Sequence, residues 1–196
     1  MSIFQKNNSD IKISELQYQV AVYEDETAYK SLFFCLFPSL QNFAFSISRS
    51  RVLSEEIASD LLLDVWTRRK KLLEIENLKL YLFVGAKHAA LRKLKQENRY
   101  SRFSLDDVEV EFISEYINPD VSAELHELQE KIAKAVKQLP PSCQLIYKLA
   151  KEDRLKYKEI AQLLDLSVKT IDHQLSIALK KISSALHYPN PKKNDC

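Results

Sequence analysis

The chain has 196 residues, with 29 Lys or Arg, 27 Asp or Glu, four His and a formal net charge of +2. A hydrophobic share of 45% and a charged share of 29% exclude a disordered chain and suit one compact domain or two small ones. Gly85 is the single glycine, which excludes GxGxxG and Walker phosphate loops and argues for an all-α fold, since tight hairpins lean on positive φ.

Residues 1–24 read as an N-terminal extension. MSIFQKNNSDIK lacks the charged-then-apolar order of a signal peptide. The longest apolar candidate, SLFFCLFPSL, is short of the roughly 18 residues a membrane span needs and contains Pro38. Cys35, Cys143 and Cys196 form no CxxC pair, so a reducing, cytoplasmic setting with no disulfide framework and no zinc site is expected.

A helical period dominates from about residue 26 to 98 and defines a first domain over 25–99. TAYKSLFFCLFPSLQNFAFSISR is aromatic-rich and should form core, bent or broken at Pro38. Ser54, ahead of two glutamates and an apolar run, reads as the N-cap of a helix reaching about Leu73. On it Ile57, Ala58, Leu61, Leu62 and Val65 form an apolar face. Glu56, Ser59, Asp60 and Leu63 share the opposite one, where a leucine among acids suits a protein partner. Asn77 then starts a helix ending near Arg99.

Charge is unevenly placed. Residues 68–99 hold ten Lys or Arg against three acids, and 101–130 hold nine Asp or Glu against one Arg. Residues 131–187 return to eleven basic against five acidic. Two modules that meet a polyanion and a connector that does not would have this outline. The connector, 100–121, loses the helical period and ends in an Asn-Pro-Asp turn signal.

A second domain, 122–187, starts with a helix from Ser122 to Leu139, stopped by Pro140 and Pro141, and SCQLIYKLAKED makes the next helix. In EIAQLLDLSVKTIDHQLSIALKKI a short helix breaks at once and another begins. Ile160, Ala161 and Leu164 share a face, Asp165-Leu166-Ser167 makes the turn with Leu166 as plug, and Ser167 caps the next helix. Val168, Ile171, Leu175, Ala178 and Ile182 point inward, and Lys169, Thr170, Asp172, His173, Ser176 and Ile177 point outward. Two short helices pinned at a steep angle hold the second clear of the body, and a protruding helix fits the major groove of B-DNA. This is a helix-turn-helix. Residues 188–196 are a tail.

LPPSCQLIYKLAKEDRLKYKEIAQLLDLSVKTIDHQLSIALKKI resembles region 4 of bacterial sigma-70 family sigma factors of the extracytoplasmic-function (ECF) group. SEEIASDLLLDVWTRRKKL resembles their region 2.2, and ENLKLYLFVGAKHAALRKLKQENR resembles regions 2.3 and 2.4. The two matches cover about residues 25–99 and 122–187, in the family's order. Asp165 departs from the usual glycine of the turn, and Ser59 from a frequent glutamine.

What the resemblance implies is specific. Lys169, Asp172, His173 and Ser176 would face the bases of a promoter −35 element, with Thr170 toward phosphate. An acid at 172 would accept from a cytosine amino group. Asn77, Lys79, Lys87, His88, Arg92, Lys93, Lys95 and Arg99 would serve the melted −10 strand, with Asn77 and His88 as candidates for a flipped base. Tyr81 and Phe83 fit core packing better than base capture. Glu56, Ser59, Asp60 and Leu63 would meet the β′ clamp helices of core RNA polymerase, which also engages the factor through its β subunit. The acidic linker would lie in the RNA-exit path. An anti-sigma factor, often membrane-anchored, would hold the protein inactive.

Enzyme readings lack a constellation. His88, His126, His173 and His187 share no ligand spacing, Cys143 has no partner histidine in sequence, and the clustered carboxylates fall in the linker. No cofactor, metal or catalytic residue is expected. A free-standing helix-turn-helix regulator that binds operators without polymerase, and a helical adaptor that binds no DNA, are the alternatives.

Overall fold

A computed structural model describes residues 8–96, 108–110 and 123–186. The chain divides into two compact units, Met1–Phe103 and Ser104–Cys196. Every regular element among the described residues is helical, so the all-α expectation is borne out. The acidic linker over 100–121, apart from 108–110, and the tail over 188–196 lie outside the described residues.

The first unit contains α1 (Asn8–Tyr23), α2 (Glu26–Ser48), α3 (Arg51–Thr67), a 3-10 helix (Arg69–Glu74) and α4 (Leu78–Gln96). Helix α2 is its axis. Asp25 starts it, its carboxylate accepting the N–H groups of Thr27 at 2.8 Å and Ala28 at 3.1 Å. Leu32, Leu36, Leu40 and Phe43, at i, i+4, i+8 and i+11, are all but fully buried, and α2 packs against α1, α3 and α4. Phe43 meets Phe83 of α4 with ring centroids 5.1 Å apart.

Four sequence expectations change here. Helix α2 runs unbroken through Pro38, so of the two outcomes expected there the break does not occur. An interior proline costs about 3 kcal/mol, and the apolar face buried on both sides of Pro38 offsets it. Uninterrupted, α2 is long and apolar enough to cross a membrane by length and composition, but half of its most apolar window is buried inside the unit, as befits a core helix. Second, the cap of α3 is Ser50, whose hydroxyl accepts the Leu53 N–H at 3.3 Å, and not Ser54. Arg49 turns left-handed (φ 54°) to end α2, which sets the start of α3 one turn earlier. Ser54 is buried and donates to the Arg51 carbonyl at 2.8 Å. Third, α3 ends at Thr67, and the chain reaches Glu74 as a 3-10 helix instead of continuing α-helical to Leu73. Fourth, residues 8–23, read as an extension, form α1, which packs on α2 and on the 3-10 helix.

In the second unit α5 (Ala123–Lys137), α6 (Pro141–Lys151), α7 (Tyr157–Leu164) and α8 (Val168–Ala185) follow one another. Pro141 sits in the first turn of α6, where its missing N–H leaves no gap. Helix α8 packs against the other three. Ala135, Val136, Leu139, Cys143, Ala178 and Ile182 make a common core, with Ile132, Tyr147, Ile177 and Leu186 packed at its edge.

Gly85 marks a close approach of α4 to α3: a Cβ there would stand 2.9 Å from Leu61 Cδ2, the far end of a flexible side chain. Gly85→Ala should leave thermal stability within about 1 kcal/mol of the parent, the gain in helix propensity offsetting a small Leu61 shift. Gly85→Leu should destabilise by about 1–3 kcal/mol through overpacking. Thermal or urea unfolding of the two variants measures both.

Candidate nucleic-acid interface

The break between α7 and α8 is built from backbone. Asp165 takes the left-handed conformation (φ 56°, ψ 43°) that ends α7, and its N–H returns to the Ala161 carbonyl. The next N–H, of Leu166, reaches the same carbonyl at 2.9 Å, so one oxygen of the last turn anchors the whole reversal. Aspartate tolerates this geometry better than most side chains and stands where glycine is usual. Ser167 then restarts the helix, its hydroxyl accepting the Thr170 N–H at 3.0 Å. At the other end of α7, the Glu159 carboxylate reaches back to the Lys156 N–H at 2.8 Å.

Burial divides α8 lengthwise. Ile171, Leu175, Ala178 and Ile182 are buried, facing Ile160, Ala161, Leu163 and Leu164 of α7 and the α5–α6 core. Lys169, Asp172 and His173 are exposed, and Ser176 is half-buried on the same side. Three outward or inward placements differ from expectation. Val168 is 42% exposed and takes no part in the core, since the first residue of a helix projects beyond the neighbour it packs on. Ile177 is half-buried against the common core instead of facing out. The Thr170 hydroxyl lies 2.8 Å from that of Ser167, so it belongs to the cap as much as to the surface.

Beneath α8, Cys143 donates to the Gln174 side-chain carbonyl at 2.6 Å. Burial pushes the Cys143 thiol above its ordinary pKa, against a smaller opposing pull from Lys181. It is a packed thiol, protonated at neutral pH.

On the first unit, Tyr81, His88, Arg92 and Lys95 of α4 are exposed and fall at i, i+7, i+11 and i+14, one stripe of the helix. Tyr81 is 52% exposed, against the expectation that it packs in the core, whereas Phe83 is fully buried as expected. Lys87 goes the other way. It lies with Phe83, Ala86 and Ala90 on the buried face of α4, 8% exposed, and does not share the stripe. Lys79 is half-buried. Lys93 is ion-paired to Glu56 of α3 at 2.9 Å. Asn77 caps α4, its side-chain oxygen accepting the Leu80 N–H at 3.0 Å. Arg99 lies outside the described residues.

Sequence reading passed over one group of cations. Arg68, Lys70 and Lys71 are exposed at the start of the 3-10 helix, beside a cleft of about 440 Å³ lined by Leu61, Asp64, Val65, Arg68, Lys71, Leu72, Glu74, Ile75 and Tyr81, where Arg68 pairs with Asp64 at 3.6 Å. In the sequence they belong to the run RRKK. Apolar walls, an aromatic rim and cations are the chemistry that single-stranded nucleic acid uses, stacked bases inside and phosphates at the edge.

On α3 the expected partner face is exposed: Glu56, Asp60 and Leu63 stand out and Ser59 is half-buried, with Leu63 59% exposed among them. Ile57, Ala58, Leu62 and Val65 are buried on the far side, and Leu61 is half-buried.

Residues 129–182 match the family model for Sigma-70, region 4. No curated protein sequence matches the chain. Among solved structures, the chain is similar to the sigma factor RpoE of Bartonella quintana, seen in complex with the anti-sigma factor NepR. The TM-score is 0.52 at 20% identity, covering 83% of this chain and 98% of that one. It is also similar to CnrH, in complex with the cytosolic domain of CnrY, with a TM-score of 0.47 at 18% identity over 92% and 98% of the two chains. A third is Rhodobacter sphaeroides SigE with the anti-sigma ChrR, at TM-score 0.40 and 20% identity over 86% and 97%.

Ser167→Ala should lower the stability of the second unit by about 1 kcal/mol by removing the cap of α8. Amide hydrogen exchange localises the effect: faster exchange at Thr170 and Ile171 is expected, with no change in α2 to α4.

Proposed function

We infer that this chain, whose residues 129–182 belong to the sigma-70 region 4 family, is a sigma factor of the extracytoplasmic-function type. It binds core RNA polymerase and directs it to promoters, and it carries out no chemistry, since nucleotide addition belongs to the polymerase. The observation that carries the reading is the capped, left-handed break at Asp165–Ser167, which leaves Lys169, Asp172 and His173 of α8 exposed on a helix gripped from behind. The fold shared with RpoE supports extending it to the first unit.

Each face then has a role. Lys169, Asp172, His173 and Ser176 meet the −35 bases in the major groove, with Thr170 near the backbone. Tyr81, His88, Arg92 and Lys95, with Lys93 and Lys79 at their flank and the cations of the 3-10 helix beside them, hold the opened −10 strand. Asn77 and His88 remain the candidates for a flipped base, and Arg99 would add charge. Glu56, Ser59, Asp60 and Leu63 of α3 meet the β′ clamp helices, and the β subunit completes the holoenzyme. Because RpoE is seen bound by an anti-sigma factor, an anti-sigma factor is the expected regulator here too, acting in the cytoplasm where the polymerase is. A first domain that takes in α1 and reaches about residue 99, and a second over 122–187, with an acidic linker between them, suit this division of labour.

Co-purification with core polymerase, followed by transcription from a −10/−35 promoter in vitro, tests the reading. A free-standing regulator would bind duplex DNA without polymerase and fail to support initiation. Leu63→Asp should weaken core binding at least about tenfold, as loss of a central apolar anchor does, while the variant still binds −35 duplex. Asp172→Arg should change the preferred −35 base by about 1–3 kcal/mol of discrimination. An unchanged preference across −35 variants would remove Asp172 as a reader.

A further inference from the structure

The 3-10 helix Arg69–Glu74 is six residues long. Runs beyond three or four residues are uncommon because their hydrogen bonds are poorly aligned, so something outside the segment has to hold it. Helix α1 and the left-handed Glu24 just after it do so at the two ends. Gln17 is buried, and its amide donates to the carbonyls of Leu72 at 2.6 Å and Ile75 at 2.8 Å. Those oxygens end the 3-10 helix; the Leu72 carbonyl also accepts the Ile75 N–H at 3.1 Å, so the Gln17 amide adds a second bond there.

At the start of the segment, Arg69 is the anchor. Its guanidinium lies 2.7 Å from the Glu24 carboxylate, donates to the Trp66 carbonyl at 3.1 Å and stacks over the Trp66 ring at 4.8 Å. Trp66 is held in turn by Tyr29, with ring centroids 5.0 Å apart, and the Tyr29 hydroxyl donates to the Leu62 carbonyl at 3.0 Å. The hydrogen bond from Arg69 keeps the Glu24 carboxyl below the usual carboxylate range, so the pair stays charged at neutral pH. Of the four consecutive cations, Arg69 is therefore committed inward and Arg68 pairs with Asp64 at 3.6 Å, while Lys70 and Lys71 are exposed, Lys71 at the cleft itself.

We propose that α1 and the residue that follows it form a clamp that holds the 3-10 segment in the shape presenting Lys70 and Lys71 to single-stranded nucleic acid, with Gln17 of α1 and Glu24 just beyond it as the positioning residues. The proposal rests on the reading of the first unit as the −10-binding module. A helix that only covered core would have no need of a buried amide aimed at two carbonyls of one loop.

The test uses holoenzyme reconstituted from the full chain and core RNA polymerase. Two probes are titrated, a labelled non-template −10 oligonucleotide and a −35 duplex. Gln17→Leu and Glu24→Gln should each weaken oligonucleotide binding, the former about tenfold. The salt slope should become shallower as ordered phosphate contacts are lost, and core affinity and −35 duplex binding should be unchanged. The double variant Lys70→Ser/Lys71→Ser should weaken the oligonucleotide too, and in its background Gln17→Leu should have no further effect. Wild-type oligonucleotide affinity for Gln17→Leu, with the lysine variant impaired, overturns the clamp alone. Wild-type affinity for the lysine variant overturns the segment as a contact, and the clamp with it. Glu24 is 46% exposed at its side chain, so Glu24→Gln carries the test should Gln17→Leu fail to fold, and wild-type affinity there overturns the clamp equally.

Discussion

A helix can be offered to a groove only if the chain before it turns away without leaving backbone groups stranded. In the second unit that condition rests on one carbonyl, that of Ala161, which receives the N–H groups of both Asp165 and Leu166. The left-handed φ of Asp165 makes the double bond geometrically available, and Ser167 closes the account of open N–H groups on the far side. Weakening either loosens the start of α8, the end of the helix whose exposed face the turn sets in place. The small Ala161, buried where the two helices meet, serves both needs at once: its side chain permits close approach and its backbone ends the turn.

The first unit solves a different problem, keeping two chemically opposed surfaces on adjacent helices. Helix α3 shows acids and a leucine, while α4 shows cations and an aromatic ring, and the two helices pack on each other and on α2. Where the surfaces meet, Glu56 and Lys93 pair at 2.9 Å, each partly exposed. Such a pair adds little stability in water. It marks the seam where the acidic face of α3 meets the cations of α4.

Much of this is legible in the sequence. The three-residue break, the buried set Ile160, Ala161, Leu164, Ile171, Leu175, Ala178 and Ile182, and the exposed Leu63 all follow from periodicities that packing then respected. The failures have physical causes. Ser50 and Ser54 are equally good caps in isolation, and only the left-handed Arg49 decides between them. Pro38 breaks helices in water, but here it lies within a helix whose apolar face is buried on either side of it. Lys87 and Tyr81 exchanged places because a long amphipathic side chain can bury its stem, and an aromatic ring can remain in solvent at modest cost. The clamp from α1 was invisible because Gln17 acts on residues more than fifty positions away, through a tertiary contact that no local pattern encodes.

Among the described residues, the backbone adopts positive φ at Glu24, Arg49, Arg154 and Asp165, never at a glycine. Each of these corners therefore carries a side chain where most chains carry none. The denatured ensemble of such a polypeptide has fewer conformations to surrender than a glycine-rich one of equal length. Its corners also have something to hold with, as Glu24 shows by gripping Arg69. Hinge points that in other helical proteins are merely permissive are here chemically specific, and a mutation at one of them alters a contact as well as a bend.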